Sequence, residues 1–126
     1  MNKERALKII LVLVGILFLC AALPAVGGVL HPENSDTGDT MMMSIYATLG
    51  IFLLLAVRNP AAHRALIAFA AWSSFAHAIV MSLLGLKIPS ERNGFLVGSG
   101  ILVVIGLLLI NLTPAKRKEP SGALAD

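Results

Sequence analysis

Residues 41–86 read MMMSIYATLGIFLLLAVRNPAAHRALIAFAAWSSFAHAIVMSLLGL, two long apolar runs separated by RNPAAHR. Neither run, at residues 41–57 and 65–86, contains Asp, Glu, Lys or Arg. Because a helix that crosses a bilayer needs about 20 apolar residues, both runs are long enough, or nearly so, to span a membrane. Proline disfavours helical geometry at the residue before it and favours the first position of a new helix. The segment between the runs therefore predicts a tight turn with the next helix starting near Pro60.

Two further apolar runs flank this pair, at residues 6–30 and 95–112, and Lys8 is the one charged side chain in the four runs. The chain is 57% hydrophobic and 13% charged, against about 45–50% and 25% in soluble domains. We predict an all-α fold, an integral membrane antiparallel four-helix bundle, forming a single transmembrane domain over residues 1–126. The expected helices cover residues 6–30, 41–58, 60–86 and 95–112, followed by a disordered cytoplasmic tail at 113–126. Pro24 should kink the first helix near its outer end.

Basic residues are distributed unevenly between the two ends of the predicted helices. One end would carry Lys3, Arg5, Lys8, Arg58, Arg64, Lys116, Arg117 and Lys118. Only Lys87 and Arg92 would lie at the other end, beside acidic loops. Since basic residues near helix ends stay on the cytoplasmic side, we predict cytoplasmic termini in a multi-pass protein of the bacterial inner membrane. This asymmetry accounts for the net charge of +3, so the charge does not indicate a nucleic-acid partner.

The third run contains a histidine, His77, among apolar residues. On a helix Ser73 and Ser74 lie about 40° and 60° to either side of it, and Tyr46 and Ser99 lie at a similar depth in the neighbouring helices. We therefore expect these five residues to form one polar cluster. Its side chains would either make interhelical hydrogen bonds, each worth about 0.6 kcal/mol, or bind a ligand within the membrane.

Two other patterns concern helix packing. Trp72 and Phe75 lie on the helix face opposite His77, so we expect that face to contact lipid. Gly94 and Gly98 are four residues apart in the fourth run, and small residues at this spacing let helices approach closely. We therefore expect both glycines at a helix contact.

The residues do not favour catalysis or a metal site. Cys20 is the only cysteine, so neither a disulfide within the chain nor a cysteine metal cluster can form. A serine hydrolase would lack the carboxylate that orients the histidine. Haem held by two histidines of one chain would need a second histidine level with His77, whereas His63 is about 21 Å further along the same helix. We predict a protein that is not an enzyme and has no metal site. The sequence does not indicate which cofactor, if any, it binds.

The chain also resembles a known group of proteins. Its RNP, HR and WSSFAH motifs, within residues 41–81, are similar to those of an uncharacterised family of small bacterial four-helix integral membrane proteins. The resemblance covers most of the chain. It implies the same fold, and it brings no function with it.

Two functions fit these observations. The favoured interpretation is a non-enzymatic accessory, structural or assembly subunit of a larger membrane complex, or a homo-oligomer, whose partners are the lipid bilayer and other membrane-protein subunits or itself. The alternative is a binder of a small hydrophobic or redox ligand, such as a quinone, pigment or haem, in an outer-side intramembrane pocket around His77. A channel or transporter is disfavoured, because the inner halves of the second and fourth helices are too apolar to form a polar path.

Overall fold

The computed structural model describes residues 2–116 and consists of five α-helices in that part of the chain. They are α1 (Lys3–Leu19), α2 (Ala22–Leu30), α3 (Thr37–Ala56), α4 (Arg64–Lys87) and α5 (Arg92–Leu112), with short 3₁₀ turns at Pro32–Asn34 and Pro60–His63. No strand occurs in residues 2–116. Most of the predicted tail, including Arg117 and Lys118, lies outside the described residues.

Four segments are long and apolar enough to cross a membrane: Lys3–Leu30, Thr37–Ala56, Pro60–Lys87 and Arg92–Leu112. The prediction of an all-helical fold with four such segments is therefore confirmed. The third segment begins at Pro60 with a 3₁₀ turn, and its α-helix begins at Arg64.

Several helices begin before the apolar run that predicts them, because polar residues cap their first turns. The Asp36 carboxylate accepts a hydrogen bond from the backbone N–H of Asp39 at 3.1 Å, so α3 starts at Thr37 rather than residue 41. The Asn2 side chain likewise accepts from the backbone N–H of Arg5 at 2.8 Å. Hydrophobicity marks the apolar length of these helices, and the caps set where they begin.

The first apolar run forms two helices rather than one kinked helix. α1 ends at Leu19 and α2 begins at Ala22. Pro24 has no backbone N–H, so it cannot donate to the carbonyl of Cys20 four residues earlier. The N–H of Leu23 donates to that carbonyl instead, at 3.1 Å. The helix therefore breaks one turn before the proline.

The helices pair as two hairpins. α4 and α5 share the most extensive contact, and α1 and α2 both pack along α3. The contacts between α1 and α5 and between α3 and α4 are much smaller. Grooves consequently run along both seams between the hairpins, one between α1 and α5 and the others between α3 and α4.

Glycines bring α1 and α3 into backbone contact. A Cβ atom added to Gly50 would lie 2.5 Å from the backbone nitrogen of Leu19 and 2.6 Å from the carbonyl oxygen of Gly15. At Gly15 an added Cβ would lie 2.8 Å from Cγ of Leu54. Only residues without a side chain permit this approach, so this pair, on α1 and α3, is a tight helix contact that the sequence analysis did not single out.

The α4–α5 contact differs from the expectation for Gly94 and Gly98. A Cβ at Gly98 would lie 2.6 Å from the terminal methyl of Met81, but one at Gly94 would meet no atom within 4 Å. The expected Gly94 contact is not made within residues 2–116, and near the α4–α5 turn it is Gly85 of α4 that packs against Phe95. Phe75 is half-buried rather than lipid-facing, as its ring packs against Gly106. Trp72, in contrast, is 65% exposed.

The two ends of the molecule differ in charge. The α1 helix contacts the Pro60–His63 turn, and Nε of Arg64 donates to the carbonyl of Pro114. The start of the chain, the α3–α4 turn and the end of α5 therefore lie at one end. The basic residues described there are Lys3, Arg5, Lys8, Arg58, Arg64 and Lys116. The opposite end carries Glu33, Asp36, Asp39 and Glu91 with Lys87 and Arg92.

Candidate functional site

Tyr46 and His77 meet where α3 faces α4. Their ring centroids are 5.4 Å apart with an interplanar angle of 78°, an edge-to-face contact. The Tyr46 ring also contacts Phe18 of α1 edge-on, at 5.0 Å and 77°. Phe18 is buried, so it supports the tyrosine ring from the core side. Aromatic pairs of this kind favour a defined ring orientation. The Tyr46 ring is therefore held between Phe18 of α1 and His77 of α4.

A groove of about 340 Å³ surrounds this pair along the seam between α3 and α4. Its apolar walls are formed by Met42, Ile45, Leu49, Phe69, Ala76 and Val80. Tyr46, Ser73 and His77 supply its polar side chains. Three of the five residues expected to cluster therefore share one groove, which opens sideways along the seam.

The hydroxyls of Ser73 and Ser74 donate hydrogen bonds within their own helix. Both donate to the carbonyl of Ala70, at 3.2 Å from Ser73 and 2.7 Å from Ser74. Ser74 is completely buried and does not line the groove. Ser73 lines it with an oxygen whose proton is already used, so it can offer the groove only an acceptor.

Ser99 lies on the other side of α4, away from His77. Its hydroxyl donates to the carbonyl of Ala78 at 3.0 Å and lies 2.7 Å from the hydroxyl of Ser82. It borders a separate groove between α4 and α5. The expected single cluster of five residues is thus divided between two seams.

The register of the α4–α5 hairpin explains this division. Phe75 packs against Gly106, and Ser82 lies opposite Ser99. Seven residues toward the connecting turn along α4 therefore correspond to seven residues toward it along α5. Ser99 is therefore level with Ser82, about 7.5 Å nearer the turn than His77. Counting from the connecting turn, rather than from the ends of the apolar runs, would have found Ser82, which the sequence analysis missed.

The site lies near the middle of its helices. At a rise of about 1.5 Å per residue, His77 is about 20 Å from Arg64 and about 15 Å from Lys87 along α4. Tyr46 is about 14 Å from Thr37 and about 15 Å from Ala56 along α3. No Asp, Glu, Lys or Arg lines the groove.

Within residues 2–116, neither the Tyr46 hydroxyl nor a ring nitrogen of His77 has a hydrogen-bond partner. These atoms are not sealed in the protein, because no buried side-chain nitrogen or oxygen in the described part of the chain lacks a partner. They are accessible, and both side chains line the groove. The pair can therefore donate hydrogen bonds to a molecule that enters it.

Metal ligation has no comparable arrangement in the described residues. Across residues 2–116, no group of three or more His, Cys, Asp or Glu side chains could hold a metal ion. Cys20 is exposed at the break between α1 and α2.

Comparison with known proteins identifies the family. No curated protein and no solved structure matches the chain. Residues 2–124 match the profile of a family of unknown function, DUF6632. This match covers nearly the whole sequence, and it confirms the resemblance to an uncharacterised family. The chain belongs to DUF6632, a family of unknown function.

Proposed function

We propose that the protein crosses the bacterial inner membrane four times, with both termini in the cytoplasm. Four apolar helical segments support insertion, and the clustering of basic residues at one end supports the orientation. In this orientation α2 lies in the outer half of the bilayer. The Tyr46–His77 groove lies near its middle.

Within that membrane we propose that the protein binds a lipid-soluble molecule in the Tyr46–His77 groove and catalyses no reaction. The observation that carries this proposal is the pair of accessible, unpaired polar side chains in an apolar groove. The bilayer core contains no water to satisfy such groups, and leaving each one unpaired costs several kcal/mol. A ligand that accepts hydrogen bonds would remove that cost.

The other hydroxyls beyond the first turn of each span behave differently. Those of Ser44, Thr48, Ser73, Ser74, Ser82 and Ser99 all make hydrogen bonds within the described chain. Most of them donate to a carbonyl three or four residues earlier in the same helix, which is how serine and threonine are usually satisfied in membranes. The Tyr46 side chain is too long and rigid for that local solution, and the His77 ring does not make it. Their missing partners therefore favour an external one.

The test is analysis of the lipids that co-purify with the protein in a mild detergent. We expect a specific lipid-soluble compound with the wild-type protein and at least fivefold less of it with His77→Leu. Ser99→Ala is the matched control, because it alters a polar residue at the other seam and should retain the compound. A wild-type protein that carries only bulk membrane lipids, in amounts unchanged by His77→Leu, would refute binding.

A second candidate function is that of an accessory subunit or a homo-oligomer. The observation that favours it concerns two glycines of α5. A Cβ added to Gly94 or to Gly100 would meet no atom within 4 Å. Small residues on a membrane helix favour contact with another helix. Neither of these two glycines lies at such a contact within residues 2–116. Gly100 also lines the wholly aliphatic groove between α1 and α5, of about 530 Å³.

Native mass spectrometry of the detergent-solubilised protein tests this second candidate. Gly100→Leu should reduce recovery of a partner subunit or a second copy. Gly27→Leu is the control, since Gly27 also faces open space but lies on α2. Recovery of wild-type protein as a partner-free monomer would exclude this function.

A further inference from the structure

We infer that the Tyr46–His77 groove takes an uncharged ring lipid with carbonyl oxygens, of the isoprenoid quinone class, and that its tail follows the α3–α4 seam. This inference rests on the proposed ligand binding and specifies the chemistry of the ligand. Depth, charge, hydrogen-bond polarity and the shape of the seam each restrict the class.

The depth of the site argues against phospholipid headgroups. Tyr46 and His77 lie near the middle of helices that span the hydrocarbon core. That core is about 30 Å thick, so headgroups lie about 15 Å from its centre. A phospholipid could reach the pair only by pulling its phosphate into hydrocarbon. Its acyl chains reach this depth easily, but they offer no group for the hydroxyl or the imidazole.

The charge of the groove argues against ionised ligands. Its lining contains no Asp, Glu, Lys or Arg. A charge in an apolar medium without a partner is far more costly than an unpaired polar group. A haem carries two carboxylates, and the groove has no cation to pair with either of them. An uncharged ligand is the class that this lining accepts.

The available hydrogen-bond groups favour carbonyl oxygens. The phenol of Tyr46 offers a donor, and a neutral imidazole at His77 offers one N–H. The third polar side chain, Ser73, has already donated its hydrogen to Ala70. Two donors from two facing helices therefore lie at one site, with their rings 5.4 Å apart. A ring carbonyl accepts from such donors without needing to donate in return.

The walls and volume fit a single ring. Phe69 and Met42 line the groove, and both make favourable contacts with flat, polarisable groups. The volume of about 340 Å³ lies at the small end of the range for ligand sites, about 300–1,000 Å³. This favours one substituted ring rather than a macrocycle.

A second groove provides a path for a long apolar tail. It has a volume of about 300 Å³ and continues along the same seam, sharing Ile45, Leu49 and Phe69 as walls with the first. Beyond them it is lined by Phe52 and Leu66. The hydroxyls of Ser44 and Thr48 on this groove already donate to carbonyls of α3. This second groove therefore suits hydrocarbon, and it extends from the ring site toward the basic end of the molecule.

The experiment is a binding titration of protein in phosphatidylcholine nanodiscs, read by native mass spectrometry. The probes are ubiquinone-2, which has a tail of two isoprene units, its ring-only analogue ubiquinone-0, and phosphatidylglycerol. We expect saturable binding of one ubiquinone-2 per chain, about fivefold weaker in Tyr46→Phe because one hydrogen bond is lost. Ser99→Ala should bind as tightly as the wild-type protein.

The tail path has its own readout. Phe52→Ala should weaken binding of ubiquinone-2 and leave binding of ubiquinone-0 unchanged, because only the longer probe reaches it. A thermal melt of each variant in the same nanodiscs shows whether the fold is kept, and Tyr46→Phe retains the ring that contacts Phe18.

The outcomes separate this inference from the proposal beneath it. If ubiquinone-2 does not bind but phosphatidylglycerol or a co-purified lipid does, in a manner that depends on His77, the ligand class is wrong and intramembrane binding stands. If Tyr46→Phe and His77→Leu leave ubiquinone-2 binding unchanged, the assigned site is wrong. If no probe binds and no compound co-purifies, both the inference and the proposed function fail.

Discussion

Ser99 is a buried polar residue whose hydrogen bonds join two helices. Its hydroxyl lies 3.0 Å from the carbonyl of Ala78 and 2.7 Å from the hydroxyl of Ser82. Interhelical hydrogen bonds in membranes are worth about 0.6–2 kcal/mol, so Ser99→Ala should lower the free energy of unfolding by about 1 kcal/mol. Unfolding in mixed micelles with increasing SDS measures the change. Ser44→Ala is the control, because that exposed hydroxyl donates only within its own helix, and equal losses in the two variants would contradict this account.

The sequence predicts part of this residue-scale detail. Helical spacing and equal distance from the RNP turn place Tyr46, Ser73 and His77 at one level, and the structure brings them into one groove. The ends of the apolar runs place Ser99 at that level too, but the far ends of runs 65–86 and 95–112 are not level in the hairpin, since Ser82 lies opposite Ser99. The sequence also does not predict which polar side chains find hydrogen-bond partners, because that depends on which side of α4 each neighbouring helix packs.

At the scale of a helix pair, the contact between α1 and α3 depends on Gly50. A Cβ there would lie 2.5 Å from backbone nitrogen of Leu19, and backbone cannot move aside as a side chain can. Overpacking of this kind costs about 1–3 kcal/mol, so Gly50→Ala should destabilise the protein by that amount in the SDS titration. Gly94→Ala has open space around its Cβ and should be neutral or stabilising by up to about 1 kcal/mol, because alanine favours helix more than glycine does. A neutral Gly50→Ala would show that the two backbones are not in contact.

The start of α3 depends on its cap rather than on hydrophobicity. The Asp36 carboxylate accepts from the backbone N–H of Asp39 at 3.1 Å, and removal of such a cap costs about 1 kcal/mol. Asp36→Ala should therefore increase amide hydrogen exchange in the first turn of α3 without changing exchange at its centre. Asp36→Asn keeps an acceptor and should retain protection. Equal exchange in Asp36→Ala and wild-type protein would contradict the role of the cap.

Over the whole molecule, hydrophobicity predicts how many membrane-length segments there are but not which of them pair. The four apolar runs correspond to four membrane-length segments. Their assembly into two hairpins follows from glycine contacts such as Gly15 against Gly50 and Phe75 against Gly106, which involve residues far apart in the chain. Run length cannot reveal those pairings. The sequence therefore suggests a pocket around His77, but it does not reveal the seams between the hairpins along which the grooves run.

The charge difference between the two ends predicts the orientation of the molecule. Cys20 is the only cysteine, so a Cys20→Ser background allows single reporter cysteines at Asn34, in the acidic loop, and at Ala61, in the turn beside Arg58 and Arg64. In intact spheroplasts a membrane-impermeant maleimide should label Asn34→Cys and leave Ala61→Cys unlabelled until the membrane is permeabilised, because basic ends remain in the cytoplasm. Labelling of both sites only after permeabilisation would show that α3 does not separate them across the membrane, and the opposite pattern, with Ala61→Cys labelled first, would reverse the orientation. In the reversed orientation the groove at Tyr46 would still lie near the middle of the membrane, so the orientation can fail without removing the ligand site.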